Sequence, residues 1–168
     1  MKGKIEFRAI EILSFYEHYI TMPASISGKN HMGETSQEHV EKVASIVRHL
    51  CDEFKIIDED RDMLIACAYL HDLGTLAITL PGTINGEGWK YHKTGFSRFE
   101  HLMGYHGVLS GYILDSYEID RKEEIKKIIS THMSHWYPQC PQPENLFEYI
   151  LCAADYIATR KNLFDYKG

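Results

Sequence analysis

The sequence predicts an all-α fold, a compact bundle of about six helices in a single domain over residues 1–168, and three observations support it. Apolar residues recur at spacings of three and four along six segments. The strand-like stretches are confined to residues 74–98, where Ile78 to Leu80 and Trp89 to Tyr91 flank Asn85-Gly86 as a small hairpin-like insert. A hydrophobic content of 44% in 168 residues suffices for one core and gives no reason to expect a second domain.

The first helix is expected over residues 5–20, where Ile5, Ile10, Ile12, Leu13, Tyr16 and Ile20 stand among charges and Pro23 helps to end it. Residues 24–34 form a turn-rich connection holding His31, a lone loop histidine. Thr35 and Glu38 have capping-box spacing and start a second helix to about Phe54, with Val40, Val43, Val47, Leu50, Cys51 and Phe54 on one stripe and His39 above Val43. A third helix is expected from about Glu59 to His71, with Asp58 as N-cap and Gly74 as the stop that leaves His71 and Asp72 at a helix end. Its run Leu64-Ile65-Ala66-Cys67-Ala68-Tyr69-Leu70 reads as buried.

The insert at residues 74–98 is glycine-rich, and its Lys90, His92, Lys93 and Arg98 make it positive. From Phe99 to about Asp115, Leu102, His106, Leu109 and Ile113 share a stripe, while His101 lies off it. Gly104, Gly107 and Gly111 would let another backbone approach closely. Residues 122–133 place Ile125, Ile128, Ile129 and His132 on one face, behind an acidic start, Glu123-Glu124, that suits the helix dipole. Pro138, Pro141 and Pro143 enforce a loop, and a last helix from about Glu144 to Asn162 groups Leu151, Ala154, Asp155 and Ala158.

A formal charge of -6 argues against non-specific wrapping of long duplex DNA, but leaves small anionic substrates open. Cys51, Cys67, Cys140 and Cys152 show no C-x-x-C spacing, and three of them fall in apolar helix segments as packed thiols. A reducing, cytoplasmic compartment is therefore expected. The charged stretch after Met1 is no apolar leader, and no run of about 18 apolar residues predicts a membrane span. Ten histidines are the compositional oddity.

His39, His71, Asp72, His106, His132 and Asp155 are six polar residues on the inward stripes of five expected helices. The bland alternative for His71 and Asp72 alone is a hydrogen-bonded pair closing a core helix. Each inward group carries a desolvation cost, and one shared cation site would neutralise all six together. Imidazole plus carboxylate suits Mn, Fe, Ni, Co or Zn better than Ca or Mg, and six ligands exceed what one tetrahedral zinc needs. Two divalent transition-metal ions bridged by a carboxylate is the economical arrangement. A metal-free helical domain would require the six to pair among themselves.

Over residues 30–161 the chain resembles the HD superfamily of metal-dependent phosphohydrolases, whose ordered His, His-Asp and distant Asp match His39, His71-Asp72 and Asp155. His106 and His132 are similar to the extended, two-metal form of the pattern. The phrases Asn30-His31-Met32-Gly33 before Glu38-His39, Gly104-Tyr105-His106, Ile129-Ser130-Thr131-His132 and Ala153-Ala154-Asp155-Tyr156-Ile157 resemble HD domains of bacterial 3′-to-5′ exoribonucleases. The last phrase also resembles HD dinucleoside tetraphosphate hydrolases. Many members carry Lys in His-Asp-x-Gly-Lys, where it contacts a phosphate; here that position is Thr75, which supplies no charge.

The resemblance implies an HD-type bundle and hydrolysis of a phosphoester by a metal-activated water. His39, His71, Asp72 and Asp155 would hold one ion; Asp72, His106 and His132 would hold the other. Asp72 and His135 are the catalytic candidates, His135 by orienting the leaving group or acting behind the ligands. Lys93, Arg98, Arg160 and Lys161 are the candidates to meet substrate phosphate. A nucleotide or short oligonucleotide is the expected substrate, with Trp89, Tyr91, Phe96, Trp136 and Tyr137 as stacking faces or packing. No membrane partner is expected, and a homo-oligomer is compatible with the sequence. The alternative is a catalytically inactive HD-fold nucleotide-binding or regulatory module, which Thr75 favours and the full ligand set opposes.

Overall fold

A computed structural model describes residues 2–16, 34–75 and 105–159. Their main elements are six helices and no strands: α1 Lys4–Ser14, α2 Ser36–Glu53, α3 Asp58–Leu70, α4 His106–Leu114, α5 Lys122–Ser130 and α6 Leu146–Ala158. None of the described helices is long and apolar enough to cross a membrane.

Helix α3 is the axis of the bundle. It packs against α1, α2, α5 and α6, while α2 also meets α6 and α5 meets both α4 and α6. Every residue from Met63 to His71 is buried, as the apolar run predicts. Leu64, Leu70, Leu73, Leu114, Ile125, Ile129 and Leu151 fill the core around it with almost no exposure. The side chains that follow α3 therefore enter the middle of the protein, because the helix leading to them has no solvent face there.

The helix starts are secured in different ways. The expected capping box opens α2, with Glu38 N–H donating to Thr35 Oγ1 and Thr35 N–H to Glu38 Oε1, each at 3.1 Å. Helix α1 begins at Gly3 without a side-chain cap of its own; the Asp62 carboxylate of α3 accepts the N–H groups of Ile5 and Glu6, each at 2.8 Å. A Cβ on Gly3 would lie 2.2 Å from that carboxylate, so the close approach depends on the glycine. Buried Glu6 is neutralised by Arg48 of α2, 2.5 Å away.

Several expectations need correction. Asp58 does not cap α3: Ile57 occupies the N-cap with no side-chain bond, and Asp58 is itself left-handed, with φ of 55°. Gly74 is no helix stop, since residues 73–75 are helical; it is small because a Cβ there would lie 2.4 Å from the carbonyl oxygen of His106. Helix α1 ends at Ser14, and Ile20 lies outside the described residues. Helix α4 begins at His106 itself, while residues 99–104 of the expected helix lie outside. Helix α5 ends at Ser130, so His132 stands in the turn beyond it. Asn145 starts α6 by accepting Glu148 N–H at 3.0 Å. His31, residues 76–98 of the expected insert, His101, Arg160 and Lys161 lie outside the described residues.

Candidate metal centre

Five chain segments converge on one small volume. His39 projects from the first turns of α2, and His71 and Asp72 follow the end of α3. His106 opens α4, His132 lies just past α5, and Asp155 lies within α6. The structure brings all six sequence-predicted ligand candidates together. His39, His71, His106, His132 and Asp155 are buried, and the Asp72 side chain retains 14% of its exposure.

Their functional atoms form two sets that share Asp72. In the first, His39 Nε2 lies 3.2 Å from His71 Nε2, 3.1 Å from Asp155 Oδ1 and 3.4 Å from Asp72 Oδ2. His71 Nε2 lies 3.4 Å from Asp72 Oδ2 and 3.3 Å from Asp155 Oδ1. In the second, the other oxygen, Asp72 Oδ1, lies 2.9 Å from His106 Nε2 and 3.4 Å from His132 Nε2. The two Nε2 atoms of this set are 2.8 Å apart. Donors each about 2.1 Å from one ion are about 3.0 Å apart at right angles and about 3.4 Å apart in a tetrahedron. The observed spacings fall around those values. His71, His132 and Asp155 also form a group compact enough for an ion, so the two sets adjoin.

The histidine tautomers make the case for a cation. His71 Nδ1–H donates to Ala68 O at 2.6 Å, and His132 Nδ1–H donates to Ile129 O at 2.7 Å. Each proton is thus committed to a helix-end carbonyl, leaving an Nε2 lone pair facing the cluster. His39 Nδ1 faces Glu34 Oε1 at 3.4 Å, so its Nε2 likewise points inward. Lone pairs at these separations repel unless a proton or metal ion lies between them. Borderline nitrogen donors with carboxylate oxygens are a donor set for a divalent transition metal. The residues present fit such an ion.

The electrostatics agree. Burial pushes the Asp72 carboxyl up, but the charge of His71 and hydrogen bonds to His106 and His132 hold it well below the usual carboxylate range. Asp155 is likewise opposed by burial and held down by hydrogen bonds to His39 and His71. Burial pushes His39 down, yet hydrogen bonding to Asp155 and Glu34 and the charge of Asp72 push it up to about 10. Burial depresses His132. The two carboxylates thus stay ionised beside the histidines.

Backbone and hydroxyl contacts fix these positions. Ser110 Oγ accepts Gly74 N–H at 2.7 Å and donates to the carbonyl of His71, at 2.9 Å, or of His106, at 2.8 Å. It thereby fastens α4 to the turn bearing Asp72. Gly107 lets α4 lie against the His132 turn, because a Cβ there would meet Ile129 O at 2.6 Å and His132 Nδ1 at 2.9 Å. Cys152 Sγ donates to Thr131 O at 3.2 Å, tying α6 to the same turn.

The structure does not gather every sequence candidate. His135 is exposed, its ring against Tyr156 at 5.1 Å and Trp136 at 5.9 Å, and no hydrogen bond joins it to the six among the described residues. Thr75 is buried, its N–H donating to Asp72 O at 3.0 Å. Lys93, Arg98, Arg160 and Lys161 lie outside the described residues. Sequence reasoning missed Glu34, whose carboxylate faces His39 Nδ1 and, at 2.8 Å, Lys42 Nζ, as well as Ser110 and Tyr156. Ser110, four residues after His106, carried a helical-spacing signal; Glu34, in a turn-rich stretch, carried none.

A family model described as HD domain matches residues 37–160. Neither a curated protein nor a solved structure matches the chain.

Proposed function

The chain belongs to the HD domain family, and on that premise we propose that it is a metal-dependent phosphohydrolase cleaving a phosphoester of a nucleotide or short oligonucleotide. The observation that carries this reading is the placement of Asp72, whose two oxygens face separate sets of histidine nitrogens at 2.9–3.4 Å. Two divalent transition-metal ions, among Mn, Fe, Ni, Co and Zn, are the proposed cofactors. When bound, they supply Lewis acidity that lowers the pKa of a water toward about 7 and stabilises charge on the phosphoryl oxygens.

His39, His71 and Asp155 would hold one side of the centre, and His106 and His132 would hold the other. The Nδ1–H contacts of His71 and His132 keep their Nε2 atoms aimed inward before substrate arrives. His135, exposed and three residues beyond His132, is proposed to orient the leaving group. The neighbouring Trp136 ring, tilted 33° against Tyr156, is proposed as a stacking face for a base. Lys93, Arg98, Arg160 and Lys161 are proposed to supply the cationic contacts that Thr75 lacks.

The test is reconstitution of the purified protein with Mn, elemental analysis after desalting, and incubation with dinucleotides and nucleoside phosphoesters. Two ions per chain and metal-dependent product are expected, and Asp72→Ala should lose both while keeping its helix content. Metal-dependent hydrolysis retained in Asp72→Ala would refute the assignment. Thr75 favours a second reading, an inactive nucleotide-binding or regulatory module. That reading requires nucleotides to return unchanged from the Mn-loaded protein.

A further inference from the structure

We propose that Glu34 and Lys42 form a positioning clamp that sets the tautomer and orientation of His39, and so the affinity of the ion that His39 helps to hold. This rests on the metal-centre reading above. Glu34 immediately precedes the N-cap Thr35, and its carboxylate turns back along α2. One oxygen, Oε1, faces His39 Nδ1 at 3.4 Å, and the other, Oε2, lies 2.8 Å from Lys42 Nζ. The Lys42 ammonium also donates to the carbonyl of Ala158 at the end of α6, at 3.3 Å.

A carboxylate beside one imidazole nitrogen favours the proton there and leaves the lone pair on the other, the arrangement found behind many metal-bound histidines. His71 and His132 solve the same problem with backbone carbonyls of their own chain segments. His39 stands in the first turns of α2 and is faced instead by the Glu34 carboxylate. The 3.4 Å approach is longer than a good N–H···O bond, about 2.7–3.2 Å, so its effect depends on where the carboxylate is held. Lys42 holds it. Because Lys42 also bonds the end of α6, the helix that carries Asp155, the clamp couples two ligands of one ion set.

Glu34 and Lys42 are positioning residues, since neither lies among the ligand atoms. The Glu34 side chain keeps 13% of its exposure and covers the Nδ1 side of His39, which itself keeps 1%.

The experiment is titration of ion-free protein with Co(II), followed by its visible absorption and by calorimetry, for the unaltered chain, Glu34→Gln and Lys42→Met. Glu34→Gln should weaken one of the two binding steps about 10–100-fold and change its absorption, leaving the other step alone. Lys42→Met should weaken the same step by less. The melting temperature of each ion-free variant should stay within about 4 °C of the unaltered protein, as for a partly exposed pair. Unchanged binding in both variants would overturn the clamp, as would parallel loss of both steps with a larger fall in melting temperature. Failure of the hydrolytic reading is distinguishable: the unaltered protein would bind Co(II) and the variants would weaken one step, with no phosphoester turned over.

Discussion

Two glycines on α4 give a prediction in which one substitution has opposite signs four residues apart. At Gly107 an added Cβ falls 2.6 Å from Ile129 O, 2.9 Å from His132 Nδ1 and 3.0 Å from His132 Cε1. Ile129 O is also the acceptor that fixes the His132 ring, at 2.7 Å. Relief to an ordinary contact of 3.4 Å requires α4 and this turn to separate by about 0.8 Å, several times the ±0.2 Å latitude of a metal–ligand distance. The expected cost in Gly107→Ala is about 1–3 kcal/mol of overpacking, reduced by up to about 1 kcal/mol of helix propensity. For a net cost of about 1–2 kcal/mol the melting temperature should fall by about 2–8 °C, and the proposed ligand set containing His132 should weaken selectively. At Gly111 the nearest atoms are Lys126 side-chain carbons at 3.6 Å, so Gly111→Ala should gain up to about 1 kcal/mol and leave metal content unchanged. Thermal melts and elemental analysis of both variants make the test. A Gly107→Ala protein with normal stability and full metal content would refute the packing argument.

Chelation should lower the melting temperature of metal-loaded protein by about 8–16 °C, since an ion at about a thousand times its Kd adds about 4 kcal/mol, and re-adding Mn should restore it. In ion-free protein, the raised His39 pKa of about 10 gives a stability term fully present below the unfolded value of 6.5 and lost as pH rises through 10; melts in that range should show a decline that metal loading abolishes. Ser110→Ala should cost about 1–3 kcal/mol by stranding Gly74 N–H, with lower metal content in the same protein. Arg48→Ala should cost about 1–3 kcal/mol, less than a fully buried pair because Arg48 is a third exposed, by leaving buried Glu6 unpaired while metal uptake stays normal, read by denaturant melts and elemental analysis.

The parts of the fold that were legible are those written in local pattern. The run Leu64 to Leu70 has no polar face, so burial on all sides followed from composition, and the Thr35 and Glu38 spacing is a self-contained cap. The convergence of the six polar residues was legible because each lies within or directly after an apolar stripe. What failed depended on distant neighbours. Asp58 has the chemistry of a cap, but the acid that caps a helix here is Asp62, and it serves α1. Gly74 near a helix end has two explanations, a left-handed cap or a close approach, and the deciding atom is the carbonyl of His106. Glu34 acts through a turn, where no periodicity marks which way a side chain faces.

The burial pattern separates the two proposed ligand sets. In the first, the side chains of His39, His71 and Asp155 retain 1%, 0% and 6% of their exposure; in the second, His106 retains 10% and His132 0%, with 14% on the shared Asp72. An approaching substrate or chelator therefore meets Asp72 and His106 before it meets His39. The second set also presents three ligand atoms against four in the first. Fewer protein donors and greater access both favour faster release, so a chelator should remove the ions in two phases, the faster from the Asp72, His106 and His132 set. Stopped-flow mixing of Co-loaded protein with a chelator resolves the phases by absorption, and His106→Ala should delete the fast one. If His106→Ala instead deletes the slow phase, solvent access is not what orders the two sets.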